Sequence, residues 1–216
     1  MKLMLIRHGD PDYANDALTP LGHEQARQLA EALANVRLDA LFASPLGRAQ
    51  LTAAYTSRRK GMAITTLPWL RELNGNYGAA LWAWNLSGSA TFANGHRFTV
   101  DDWPAHVPYG AHMPPVASEF WQTFDAFLAT LGYPRSGLGY RAVEGDERTL
   151  AFFCHAGVIL TLLAHLLHIP LPIVYAQFAC DPASRTTLRF EAADGFGIFR
   201  LEALNDLSHT LVPPVA

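Results

Sequence analysis

Lys2-Leu3-Met4-Leu5-Ile6-Arg7-His8-Gly9 is a short apolar run that stops abruptly at a basic pair and a glycine. A run this short, bounded by a polar turn, has the pattern of a strand buried on both faces. Residues 149–153, Thr-Leu-Ala-Phe-Phe, repeat the pattern and end in Cys154-His155, with an apolar helical stretch at 156–169 immediately after. Working outward from these two strands, Thr19-Pro20 reads as a helix N-cap followed by proline in the first turn. Ala26, Leu29, Ala30 and Leu33 then recur at helical spacing. Residues 38–43 form a second strand candidate. Ser44-Pro45 repeats the cap-then-proline start for a helix running to Arg59, and 63–67 form a further strand. Phe120, Phe124, Phe127, Leu128 and Leu131 mark another helix, and 133–146 read as a loop. The segments 186–190 and 197–201 read as a closing pair of strands joined at Asp194-Gly195. Strand–helix alternation over most of the chain predicts an α/β fold, with a mainly parallel sheet covered on both faces.

Residues 73–115 differ in texture. They are rich in Gly, Pro, Asn and aromatics, including Trp82, Trp84 and Trp103, and carry no sustained period. They read as a long insertion or lid. A length of 216 residues suits one α/β domain with an insertion, and could also fit two small domains. We take 1–216 as a single domain with the insertion at about 73–115.

Half the residues are hydrophobic and 16% are charged, so the chain can bury a sizeable core and is not of the disordered class. The net charge is −3, and no basic run marks a nucleic-acid or membrane-surface partner. The apolar stretch 156–169 is interrupted by Thr161, His165 and His168 and is shorter than the roughly 20 residues a bilayer span needs. The apolar start is also shorter than a signal peptide requires. Two cysteines, Cys154 and Cys180, without a Cys-x-x-Cys pair make a reduced, cytoplasmic protein the expectation.

In parallel α/β sheets, ligands bind beyond the carboxyl ends of the strands. Arg7-His8-Gly9 ends the first strand. Ser44 ends the second, with Arg48 one turn into the next helix, and His155 ends the strand from Thr149. Two arginines and two histidines are thereby brought to one edge, where helix N-termini also favour anions. The constellation is that of a phosphate site. Arginine forks match phosphate oxygens. A neutral imidazole at His8 can act as nucleophile, and its phosphorylated form can be opened by water. Gly9 would let the backbone turn sharply and the substrate approach closely. His155 could donate a hydrogen bond to a developing oxyanion. The leaving group needs a proton, for which Glu72 is the first candidate and Asp10 the second. Taken singly, each residue has a plainer reading: a strand-end histidine, a surface arginine, a structural histidine, a solvated carboxylate. Their convergence from three separate segments sets them apart. His23, His165 and His168 read as structural or surface residues on helices. His96, His106 and His112 fall in the irregular stretch, where surface placement is the ordinary reading.

Arg7-His8-Gly9 at a first strand end resembles the signature of the histidine phosphatase (phosphoglycerate mutase-like, branch 1) superfamily. Leu18-Thr19-Pro20-Leu21-Gly22-His23-Glu24-Gln25-Ala26 is similar to its Leu-Thr-x-x-Gly-x-x-Gln-Ala stretch. Ser44-Pro45-Leu46-Gly47-Arg48-Ala49-Gln50-Leu51-Thr52-Ala53 is similar to its Ser-x-x-x-Arg-Ala-x-x-Thr-Ala helix start, and Cys154-His155-Ala156-Gly157 resembles its second-histidine motif. The resemblance implies a three-layer α/β/α sandwich and a small phosphorylated substrate. It implies His8 as nucleophile, Arg7, Arg48 and His155 as the phosphate pocket, and Glu72 as proton donor. It implies no metal and no cofactor, and a homodimer is the association many family members show. Three departures stand out. Ala14, followed by Asn15, occupies the place where the family often carries asparagine. Tyr77-Gly78 comes later after the acid than the usual aromatic-Gly pair. The insertion does not resemble the mutases' substrate-binding segment, which favours a metal-independent phosphatase over a phosphoglycerate mutase-type phosphotransferase. A non-catalytic phospho-ligand binding protein is the alternative from another class.

Overall fold

The computed structural model describes residues 1–75, 82–106, 109–141 and 145–210. Strand β1 (Lys2–Arg7) leads through a small hairpin, β2 (Pro11–Asp12) and β3 (Ala17–Leu18), into α1 (Pro20–Ala32). Then come β4 (Ala40–Ala43), α2 (Gly47–Lys60) and β5 (Ile64–Thr66). Helices α3 (Gly88–Phe92) and α4 (Met113–Thr130) follow, then the short strands β6 (Arg135–Ser136) and β7 (Gly139–Arg141). The chain finishes with β8 (Thr149–Cys154), α5 (Ala156–Leu167), α6 (Leu171–Gln177), β9 (Arg185–Ala193) and β10 (Phe196–Asp206).

The main sheet runs β5-β4-β8-β1-β9-β10-β7-β6. Its first four strands are mutually parallel, and β9, β10, β7 and β6 extend it antiparallel. The pleat explains the three layers. Leu3 and Leu5 of β1, Phe42 of β4, and Leu150 and Phe152 of β8 join one apolar cluster, shared with α4 and α5. Their alternates Met4, Ile6, Leu41, Ala43, Ala151 and Phe153 join a second cluster with Leu29 of α1, Leu33 just past its end, and Ala53 of α2. Strands buried on both faces therefore lack polar alternation, as the two opening runs did. Full burial of a side chain such as Phe152 contributes about 1.5–3 kcal/mol.

The structure departs from the sequence reading in four places. Thr19 caps α1, its hydroxyl accepting from Gly22 N at 3.1 Å, but Ser44 does not cap α2. That helix starts at Gly47, and Leu46 is its N-cap residue. The irregular stretch ends at Met113, because Pro114 and Pro115 fit the first turn of α4, where N–H groups have no partner in any case. Residues 133–146 include the strand pair β6–β7, and α6 follows α5 after Pro170. The turn at Asp194-Gly195 is as read, with φ of 51° and 78°, the left-handed pair of a tight hairpin. The irregular stretch is packed against the body of the fold. Ala83, Phe98, Trp103 and Tyr109 belong to the same apolar cluster as β1 and α5. Among the described residues no helix is long and apolar enough to cross a membrane.

Candidate active site

Parallel register places the site. Arg7 pairs with Cys154 across β1 and β8, and Ala43 pairs with Phe153 across β4 and β8. The next residues in each strand are His8, His155 and Ser44, so the order β4-β8-β1 sets them side by side. Backbone bonds fix the row: His8 N donates to Cys154 O at 3.0 Å and Ser44 N to Phe153 O at 2.9 Å. The His8 and His155 rings lie 5.1 Å apart. Both are buried.

Hydrogen bonds assign the tautomer of His8. Its Nδ1 sits 2.8 Å from Gly9 O, an acceptor, so Nδ1 carries the proton. Nε2 then keeps its lone pair and accepts from Arg48 Nε at 3.3 Å. Burial, reinforced by the Arg7 and Arg48 charges, lowers the His8 pKa to about 3, so the ring is neutral at ordinary pH. His155 is lowered to about 2, by burial first and then by His8 and the arginines. Its Nε2 is 2.8 Å from Ser44 Oγ, and its buried Nδ1 has no partner.

The arginines are held from behind. Arg48, on the first turn of α2, is buried and donates from Nη1 to Asp16 Oδ1 at 2.6 Å. Burial raises the pKa of Asp16, but the hydrogen bonds from Gly47 N and Arg48 outweigh it and hold the carboxyl below its usual range. Arg7 donates from Nη1 to Cys180 O at 2.5 Å, and its buried Nε makes no hydrogen bond. A buried cation with an unpaired donor is costly unless an anion meets it.

Glu72 reaches the site from the loop after the single turn Pro68–Leu70. Its Oε1 accepts from Leu73 N at 3.0 Å and its Oε2 from Gly157 N at 3.4 Å. Desolvation raises its pKa to about 7, against these hydrogen bonds and the arginine charges. Arg7, Arg48 and Glu72 line one cavity of about 780 Å³, with Arg71, Tyr13 and an apolar wall that includes Trp82, Trp84, Leu160 and Phe178. Trp82 and Trp84 stack with ring centres 5.3 Å apart. Trp84 fits only because two glycines face it. A Cβ on Gly157 would lie 2.6 Å from Trp84 Cζ3 and 2.7 Å from Glu72 Oε1, and one on Gly75 would lie 2.4 Å from Trp84 Cζ3.

Arg7, His8, Arg48, His155 and Glu72 are thus brought together. Asp10 is not: its Oδ2 accepts from Thr19 Oγ1 at 2.6 Å, which ties it to the start of α1. Gly9 does not face the cavity. Its missing Cβ makes room for Gly22 O, which would lie 2.6 Å away. Asn15 turns to Asp12, bonding its Oδ2 at 2.7 Å. Tyr77-Gly78 lies outside the described residues. The sequence reading missed Asp16 and Cys180. Asp16 has a φ of 48°, a backbone state that Asp tolerates better than most residues, but nothing in the sequence marks it. Cys180 contributes only a carbonyl, which has no sequence signal.

The family model for the histidine phosphatase superfamily (branch 1) matches residues 3–82. Over that stretch the chain resembles the histidine phosphatase superfamily. Similar proteins include a "Probable phosphoglycerate mutase GpmB" of Erwinia tasmaniensis, 28% identical over 139 residues, or 60% of this chain and 64% of the relative. An "Adenosylcobalamin/alpha-ribazole phosphatase" of Escherichia coli is 26% identical over 183 residues, 79% of this chain and 81% of the relative. The matched stretch covers less than two thirds of the first curated relatives. Among solved structures, the phosphoserine phosphatase of Entamoeba histolytica in complex with 3-phosphoglyceric acid superposes with a TM-score of 0.66. It is 21% identical and covers 96% of this chain and 98% of its own. At that identity the likeness concerns the α/β fold alone.

Proposed function

We propose that this chain is a histidine phosphatase superfamily member that hydrolyses small phosphomonoesters through a phosphohistidine on His8, without a metal ion. The observation that carries the reading is His8 itself: a neutral ring with its Nε2 lone pair exposed to an arginine donor 3.3 Å away. That guanidinium stands where a cation bound to Nε2 would have to sit, which favours an anion instead. Arg7 Nε and His155 Nδ1 have no other partner; with Arg48, and with the His155 proton on Nδ1, they would hold the phosphate oxygens. His8 Nε2 attacks phosphorus as the ester P–O bond breaks, and Glu72 gives its proton to the leaving oxygen. Water then attacks phosphorus, Glu72 takes its proton, and the N–P bond breaks to release inorganic phosphate. A carboxyl with a pKa near 7 suits both steps. The apolar wall fits a leaving group with an apolar or planar face. In this reading residues 1–216 work as one domain, and 73–115 form the lid that supplies that wall.

Similarity to a probable phosphoglycerate mutase favours phosphotransfer as the second reading. A cavity of about 780 Å³, far larger than a phosphate, admits water and favours hydrolysis. The test is p-nitrophenol release from its phosphate ester in excess chelator, wild type beside His8→Ala. We expect turnover that survives chelation and vanishes in His8→Ala. Equal rates in the two proteins would remove His8 from the mechanism, and absence of wild-type turnover would move the assignment to phosphotransfer or binding.

A further inference from the structure

A second cluster of ligand-type side chains lies in the insertion, apart from the lining of the phosphate cavity. His96, Asp102 and His106 each direct one donor atom to a common place, and the three atoms lie within 4.8 Å of one another. The single turn Trp103–Ala105 arranges two of them, with Asp102 at its start and His106 at its end. Trp103 is buried and anchors that turn in the core. Asp102 is fixed by its neighbour: its Oδ1 accepts from Thr99 N at 2.7 Å and its N donates to Thr99 Oγ1 at 3.1 Å. Its Oδ2 is left to face His96 Nε2 at 3.7 Å. The hydrogen bonds from Thr99, with the two histidines, hold the carboxyl below its usual range.

The histidines are placed oddly for a loop. Their ring centroids are 3.5 Å apart at 37°, closer than aromatic pairs ordinarily pack. His96 Nε2 is buried and makes no hydrogen bond. Phe98 packs edge-on against both, at 4.8 and 5.6 Å, giving the apolar flank that commonly shields a metal site. A cation shared by both imidazoles and the carboxylate satisfies every one of these groups at once.

We propose that His96, Asp102 and His106 bind one divalent transition-metal ion, for which Zn²⁺ is the fitting choice, and that the ion fastens this stretch of the insertion. Two imidazoles and a carboxylate suit zinc rather than calcium or magnesium, which take oxygen ligands. Bonds of about 2.0–2.2 Å in tetrahedral array put donors about 3.3 Å apart, so modest side-chain rotations close the site. The fourth position is left to water. The ion takes no part in phosphoryl transfer. Its effect is to cross-link a stretch that has little regular secondary structure to hold it.

The test is zinc titration of tag-free, chelator-stripped full-length protein, followed by calorimetry and by thermal melting. We expect one ion per chain, a rise in Tm on adding zinc, and loss of both in His96→Ala and His106→Ala. Asp102→Asn retains the acceptor for Thr99 and so tests ligation without losing the turn. We expect it to weaken binding while melting like the metal-free wild type. His8→Ala should bind zinc as the wild type does. Failure of the wild type to bind, equal binding by the His96 and His106 variants, or loss of binding in His8→Ala would each overturn the proposal. None of these outcomes depends on turnover, so they are independent of the phosphatase reading.

Discussion

Glu72 gives a stability test of its proposed role that needs no substrate. Folding carries its carboxyl from an ordinary pKa of 4.5 to about 7. Between those values the unfolded chain has released the proton and the folded chain still holds it, so stability falls as pH rises through the window. Below about 4.5 the group contributes nothing, and above about 7 the full penalty is present. At about 1.4 kcal/mol per pH unit the penalty approaches about 3.5 kcal/mol as an upper figure. The side chain introduced by Glu72→Gln cannot ionise, and its single amide oxygen can keep the shorter bond, the one from Leu73 N. Loss of the longer bond from Gly157 N shifts stability equally at every pH. Relative to the wild type, Glu72→Gln should therefore gain stability progressively from about pH 4.5, levelling above pH 7. Urea unfolding of both proteins across that range measures the difference, in which all other titrating groups cancel. The same variant should lose about 10²–10⁴-fold in kcat on alkyl phosphates; on p-nitrophenyl phosphate, whose leaving group needs no proton, phosphorylation of His8 should be spared and only the water step slowed. A stability difference that does not change with pH would refute the account of a desolvated acid, whatever the activity.

Gly157→Ala should both destabilise and inactivate. The new Cβ meets Trp84 Cζ3 at 2.6 Å and Glu72 Oε1 at 2.7 Å, so a loss of about 1–3 kcal/mol is expected from overpacking, together with reduced kcat. Denaturant midpoints and turnover check this, and an unchanged protein would mean that Trp84 moves freely. Asp16→Ala should release Arg48, lower kcat/KM about 10²-fold and lower stability, because it leaves a buried guanidinium without its carboxylate. Asp16→Asn should recover part of the rate, and full activity in Asp16→Ala would show that Arg48 is placed by other contacts.

The strands that end at the candidate site were legible because β1 and β8 are buried on both faces and are therefore continuously apolar. The helices α1, α2 and α5 were legible from period. From strand order alone, the parallel-sheet rule brought Arg7, His8, Arg48 and His155 to one edge. Their support was not legible. Asp16 reaches Arg48 from a short hairpin, and Arg7 is held by the carbonyl of Cys180, a group every residue carries. Ser44 has the residue type of a cap, but its hydroxyl meets His155 and α2 begins three residues later. Gly9 was read as room for a ligand, whereas the space is filled by Gly22 from α1. Such errors share a cause: a sequence shows which atoms are available but not which distant neighbour claims them. The same holds for 73–115, where burial of Phe98, Trp103 and Tyr109 comes from tertiary packing without any repeating pattern.

The cavity is assembled from two sources. Its reactive floor comes from strand ends, and Trp82 and Trp84 come from the insertion. Selectivity and reactivity are therefore separable inheritances. In the proposed reading, substitutions in the insertion retune which esters enter while leaving His8 and the arginines in register. One constraint crosses the divide. Any replacement for Trp84 must still seat against Gly157, because the N–H of that glycine also holds Glu72. Evolution of a new preference in this scaffold is free at the tip of the wall and restricted at its foot.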